Sequence, residues 1–144
     1  CLKTSLQQLE RMMTVKSYTS ICPSVFDEYL ALAALENCQL ILDRNNVIIK
    51  SNVELFEMFL KRMSKAFEWV TPRAGILGML KNKLPVSSHA IAQGLAEKEG
   101  VLILPGDLFS IEGEFFRIGL GRENFPQVLS LFERYIQNEC SDLL

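Results

Sequence analysis

The sequence predicts an α/β protein in which a small mixed or antiparallel sheet of about four strands packs against helices and follows a long helix. Three observations carry that expectation. Helical periodicity dominates the first half, and Gln39 to Met63 is its longest periodic stretch. Short apolar runs punctuated by Pro, Gly and Ser come next: Phe67–Val70, Ile76–Leu80, Val101–Leu104 and Phe115–Leu120. Helical patterns then separate the two strand pairs and close the chain, so the order is three helices, two strands, a helix, two strands and a helix.

Each element has a local reason. Leu2, Leu6, Leu9 and Met13 recur at three- and four-residue steps, predicting a first helix that breaks where Lys16 to Ser20 turns polar. Cys22, Pro23 and Ser24 open a second helix. Proline is tolerated in a first turn, and Ser24 followed by Asp27 resembles a capping box. Tyr29, Leu30, Ala33 and Ala34 carry that helix to Asn37. In the long segment Ile41, Ile48, Leu55 and Phe59 mark one side, with Ile49, Phe56 and Met63 beside them. Lys50, Glu54, Glu57, Lys61 and Arg62 form its wetter face. Thr71-Pro72-Arg73-Ala74-Gly75 is a loop between strands. Ser87 is the candidate N-cap of a helix ending at Gly100, where glycine suits a left-handed cap. Pro105-Gly106 suits a type II turn. Asn124 and Pro126 begin the last helix, which turns Val128, Leu129, Phe132, Tyr135 and Ile136 inward. Met12, Met13, Phe56, Phe59, Phe67 and Trp69 fall at core spacings and are assigned to packing.

Composition removes several function classes. Apolar residues make up 49% and charged residues 22% of 144, the balance of a globular domain large enough to bury a core. The formal charge is −2 and the basic residues are scattered, which argues against a nucleic-acid surface. Cys1, Cys22, Cys38 and Cys140 form no CxxC pair and have only His89 to join them, so no metal site is expected. Free thiols in a reducing, cytoplasmic setting are the simpler reading. No apolar run approaches the ~20 residues of a membrane helix, and no signal peptide is visible at the start. The chain opens at Cys1 inside an amphipathic pattern, as a piece of a longer protein would.

Three motifs occur in order: Pro72-Arg73-Ala74-Gly75, Gly100-Val101-Leu102-Ile103-Leu104-Pro105-Gly106, and Phe116-Arg117-Ile118-Gly119. At this spacing they resemble the small, C-terminal domain of class I/II, fold-type-I pyridoxal-phosphate-dependent aminotransferases. Ser17-Tyr18-Thr19-Ser20-Ile21 resembles the segment that leads into that family's long interdomain helix, and the similarity runs from Leu2 to Gln137. The resemblance implies that residues 1–37 are a helical segment linking to a large domain this sequence does not contain, and that residues 38–144 are the small domain. It also implies a homodimer. In the family the large domain carries the Schiff-base lysine, the phosphate-binding residues and the acidic partner of the pyridine nitrogen. Lys3, Lys16, Lys50, Lys61, Lys65, Lys81, Lys83 and Lys98 lie in no similar context. No catalytic residue is therefore assigned here, and the chain alone is expected neither to bind pyridoxal 5'-phosphate covalently nor to be active.

What the resemblance does assign is substrate binding. Arg117 matches the arginine that binds the α-carboxylate of the amino-acid substrate; a planar guanidinium offers two parallel donors, fixing orientation as well as charge. Its plain alternative is a strand arginine paired with Glu112 or Glu114. Ala74 and Gly75 match a turn lining the substrate pocket, and the alternative is a loop that needs glycine's backbone freedom; both can hold. Tyr18 and Ser20 match a segment near the neighbouring subunit's cofactor, or else a polar helix connection. Arg122 is expected in solvent or paired with Glu123, His89 on the surface, and Glu97 and Glu99 at a solvated helix end. The activity implied is amino-group transfer between an amino acid and a 2-oxo acid. The competing reading is a non-catalytic stand-alone domain serving binding or assembly, which exposed apolar helices would count against.

Overall fold

The computed structural model describes residues 4–20, 22 and 24–140. Leu2, Ile21 and Pro23, used above for the first helix, the Ser17–Ile21 segment and the start of the second helix, lie outside the described residues. The chain divides into two compact units, residues 1–42 and residues 43–144.

The first unit holds α1 (Leu6–Thr19), α2 (Val25–Glu36) and the opening residues of α3 (Cys38–Arg62). Ser5 caps α1, its hydroxyl accepting from the Gln8 amide. The helix does not break at Lys16. The Ser17 and Thr19 hydroxyls donate back to the Met13 and Val15 carbonyls at 2.8 and 3.1 Å, so small polar residues satisfy themselves within the turn and the helix continues. Ser24 stands at the N-cap of α2 but makes no side-chain cap bond, so the predicted capping box does not form. Asp27 and Glu28 instead place negative charge at the helix N-terminus, where the dipole favours it. No residue of α1 or α2 is buried. Met12 and Met13, assigned to packing by their spacing, are exposed because nothing in this unit covers their face.

The second unit carries a four-stranded, fully antiparallel sheet in the order β1-β2-β4-β3. Its strands are β1 (Phe67–Trp69), β2 (Leu77–Asn82), β3 (Leu104–Pro105) and β4 (Phe115–Gly119). The remaining helices are α4 (Ser88–Glu99) and α5 (Phe125–Glu139). The α/β expectation, the long helix ahead of the strands and the number of strands are all borne out. Ser87 caps α4 through the Ala90 amide at 3.2 Å, and Gly100 ends it in the left-handed region at φ 65°.

Two details differ from the sequence reading. The third strand is confined to Leu104 and Pro105, at the sheet edge where a missing amide costs no ladder bond. Pro105-Gly106 makes no type II turn. Pro105 stays extended at ψ 151° and Gly106 opens a short 3-10 turn, Gly106–Phe109. Glycine is required there by crowding: a Cβ at 106 would sit 2.8 Å from the Phe115 Cβ.

Alternation along β4 turns Phe116 and Ile118 into the core and Arg117 to the other sheet face. The core is aromatic. Phe59 lies 5.6 Å from Phe56, 6.0 Å from Phe67 and 5.7 Å from Phe132, centroid to centroid, and Phe116 meets Phe132 at 6.4 Å. Such pairs add about 0.5–1.5 kcal/mol each beyond the area they bury. Asn52, buried on α3, donates from Nδ2 to the Leu120 and Arg122 carbonyls, both at 2.8 Å, tying the helix to the turn that follows β4. Ion pairs Lys98–Glu139 and Glu99–Arg134 bridge α4 and α5. The end of α4 is thus a cross-link rather than the purely solvated helix end its charges suggested.

Among the described residues no helix is long and apolar enough to cross a membrane.

Candidate functional site

Arg117 sits in the middle of β4, opposite Met79 of β2 on one side and Leu104 of β3 on the other. Its side chain is half-buried. No carboxylate of the described residues pairs with it. The pairing with Glu112 or Glu114 that would make it a plain strand arginine is not formed. Glu114 is engaged elsewhere: its Oε2 accepts from the Ser88 amide at 2.5 Å, and that bond holds its carboxyl below the usual range. The contact Arg117 does make is with Phe109, whose ring centroid lies 4.1 Å from the guanidinium carbon.

A cavity of about 600 Å³ lies beside β4, lined by Arg117, Leu77 and Gly119 from one face of the sheet and by Ile118, Leu129 and Phe132 from the core side. No lysine lines it. Among the described residues no group of three or more His, Cys, Asp or Glu side chains could hold a metal ion.

Ala74 and Gly75 lie in the exposed loop before β2. Because β2 runs antiparallel to β4, this loop falls at the end of the sheet where β4 finishes; the Leu120 amide donates to the Ile76 carbonyl at 2.8 Å. Gly75 has φ 87°, and a Cβ there would meet nothing within 4 Å. Its positive φ therefore demands glycine, whatever else the loop does. Neither Ala74 nor Gly75 lines the cavity itself.

Tyr18 and Ser20 belong to the first unit, Arg117, Ala74 and Gly75 to the second. Tyr18 is fully exposed near the end of α1, and Ser20 caps that helix with its amide donating to the Lys16 carbonyl. Arg122 is exposed, as expected, but does not pair with Glu123, which binds Arg44. His89 is on the surface and is not alone: its Nε2 lies 2.6 Å from Asp107 Oδ2. That hydrogen bond holds the Asp107 carboxyl below its ordinary value.

Asn52, Asp107 and Phe109 escaped the sequence reading. An asparagine in the middle of an apolar helix was the one visible signal, for Asn52. Phe109 follows a turn and belongs to no periodic pattern, so nothing local marked it.

No protein-family model and no curated protein matches this chain. Solved structures do. A PLP-dependent aminotransferase from Streptococcus suis superposes with a TM-score of 0.84 at 23% identity, covering 94% of this chain and 36% of that one. The α-aminoadipate aminotransferase LysN of Thermus thermophilus, complexed with N-(5'-phosphopyridoxyl)-L-leucine, gives 0.78 at 16% identity, over 96% of this chain and 37% of its own. The PLP-dependent cyclase OrfR gives 0.81 at 16% identity, over 92% and 37%. The chain spans little more than a third of the length of the proteins it resembles, and at these identities the likeness is one of fold. Its fold is that of the small domain of PLP-dependent aminotransferases.

Proposed function

We propose that this chain is the C-terminal, small-domain part of a pyridoxal-phosphate-dependent aminotransferase that moves an amino group between an amino acid and a 2-oxo acid. Arg117 anchors the substrate carboxylate. The observation that carries this reading is a half-buried arginine in mid-strand, bordering a cavity and paired with no carboxylate of the described residues. An unpaired guanidinium has its donors free, and an incoming carboxylate accepts two parallel hydrogen bonds from them. Two bonds also fix the rotation of the substrate about its Cα, so the bond to be broken is held at one angle to the cofactor.

Residues 1–37 join the small domain to a large domain outside this sequence, and residues 38–144 form the small domain. The large domain contributes the lysine and the phosphate-binding groups, and the working protein is a cytoplasmic homodimer. Pyridoxal phosphate, when bound there, supplies the electron sink for chemistry at the substrate Cα. This chain contributes the carboxylate anchor and, through Ala74 and Gly75, a turn lining the substrate pocket that the large domain completes. Tyr18 and Ser20 approach the cofactor of the neighbouring subunit. The stand-alone module is disfavoured by the surface: Leu6, Leu40 and Val47 are 78%, 71% and 69% exposed, on the helices where a self-sufficient domain would be polar.

The test is Arg117→Ala in the protein that contains this chain, assayed for transamination. The expected result is a fall in kcat/KM of about 10²- to 10³-fold, with Arg117→Lys intermediate because it keeps the charge and loses the fork. Unchanged kcat/KM in Arg117→Ala, or a parent protein that transfers no amino group, overturns the reading.

A further inference from the structure

Phe109 and Arg117 lie on different elements, and their contact depends on how the intervening turn is held. The Gly106–Phe109 turn is fixed at several points. Gly106 packs its backbone against Phe115, next to Arg117 on β4, where no side chain would fit. The Asp107 carbonyl accepts from Ser110 at 2.9 Å and the Gly106 carbonyl from Ile111 at 3.2 Å. Ser110 is held in the left-handed region at φ 57°, a conformation a serine keeps only where its surroundings impose it. Asp107 then spends both carboxylate oxygens: Oδ1 accepts from the Leu108 amide at 2.9 Å, and Oδ2 meets His89 of α4 at 2.6 Å. Phe109 closes the turn over the Arg117 guanidinium.

The chemistry of the two contacts is complementary. An aromatic ring takes a guanidinium by its face, whereas a carboxylate takes it by its edge, in the plane of the N–H groups. A stacked ring therefore leaves the fork free while restricting rotation about the last bonds of a long side chain, whose rotamer freedom a substrate would otherwise have to remove on binding.

We propose that the Gly106–Phe109 turn is a positioning element for Arg117: Phe109 stacks on the guanidinium and sets the plane of its donors, and the His89–Asp107 pair pins the turn to α4 so that the ring stays in place. The proposal rests on the reading of Arg117 as the carboxylate anchor. Phe109, Asp107 and His89 are positioning residues; none of them touches the substrate.

Two measurements on the protein that contains this chain test it. The first follows the ¹⁵N-detected Nε–H resonance of Arg117, identified by its disappearance in Arg117→Lys. Phe109→Leu removes the ring-current shift, and Asp107→Asn and His89→Gln move the signal the same way by less. The second follows KM for whichever of L-glutamate, L-aspartate, L-leucine and L-phenylalanine is turned over fastest. KM rises about two- to fivefold in Phe109→Leu, the range of a partly exposed cation–π contact. The change in kcat is smaller, and Phe109→Tyr restores both the resonance and KM. A merely structural role would lower the unfolding midpoint without this split. If Arg117→Ala leaves KM unchanged, the carboxylate-anchor reading fails. If Arg117→Ala raises KM while Phe109→Leu is silent in both measurements, the anchor stands and the positioning role is overturned. If only Phe109→Leu acts, and Asp107→Asn and His89→Gln are silent, the pinned-turn proposal is overturned.

Discussion

The helices of the two units are built from much the same residues and meet different fates. Val25, Phe26 and Tyr29 on α2 are 78%, 80% and 73% exposed, while Phe59 on α3 and Ile136 on α5 have no exposure at all. Both sets form regular helices with ordinary hydrogen bonding, so helix formation is settled within the segment. Burial is not. α5 repeats its apolar residues at helical spacing and finds α3 and the sheet beneath them; α2 carries Val25, Phe26, Leu30, Ala33 and Ala34 and has nothing of its own unit to lie on. A helix apolar on most sides is one that a further layer of protein covers. Under the proposed reading that layer is the large domain and the partner subunit.

The comparison predicts how unequally the two regions respond to substitution. Phe59→Ala removes the centre of the aromatic cluster and should cost about 3–5 kcal/mol in urea unfolding of this chain. Phe26→Ala, the same change on an exposed helix, should stay within about 0.5 kcal/mol. Equal costs at the two positions would erase the distinction between the units.

A smaller effect separates polar from apolar fastening within the second unit. Asn52→Ala strips both bonds that tie α3 to the Leu120 and Arg122 carbonyls and should cost about 1–3 kcal/mol in the same unfolding experiment. A loss near zero would mean the turn after β4 is held by packing alone.

The smallest effect is on pH. The Arg134 hydrogen bond lowers Glu99, the His89 hydrogen bond lowers Asp107 and the Ser88 amide lowers Glu114. Groups whose folded values are depressed contribute stability that is complete above their unfolded values, roughly 4, and disappears as pH falls through the lower folded values. All three belong to the second unit. Its unfolding midpoint should therefore hold steady from neutral pH to about 5 and decline below about 4. Asp107 lies on the surface, so salt should blunt its part of the decline. A midpoint that starts to fall near neutrality would assign acid sensitivity to other groups.

How far the chain could be read from its letters varied by element. Ser87 and Gly100 marked both ends of α4, because a cap is a contract between residues three or four apart. The period from Gln39 to Met63 likewise predicted α3 to within a residue at each end. The end of α1 is not legible because Ser17 and Thr19 can either break a helix or bond back into it, and composition does not choose. The Pro105-Gly106 turn is not legible for a different reason: its geometry follows from Phe115 pressing on Gly106 across the fold. Of the candidate site, Arg117 was picked out by its motif, whereas Phe109 and Asp107 were invisible, being joined to their partners across 8 and 18 positions with no repeat to reveal them.

The sequence by itself determined the order of helices and strands, which face of α3 and α5 is apolar, and that Arg117 occupies a strand two residues before a glycine. These are local properties, set by backbone hydrogen bonding, capping and periodicity within a few residues. The tertiary structure alone decided that Arg117 has no carboxylate beside it among the described residues, that its guanidinium carbon lies over the Phe109 ring, and that the turn carrying the ring bonds to a histidine of α4. Such contacts arise between segments distant in the chain, where close packing and charge complementarity select one arrangement among many that the local patterns allow.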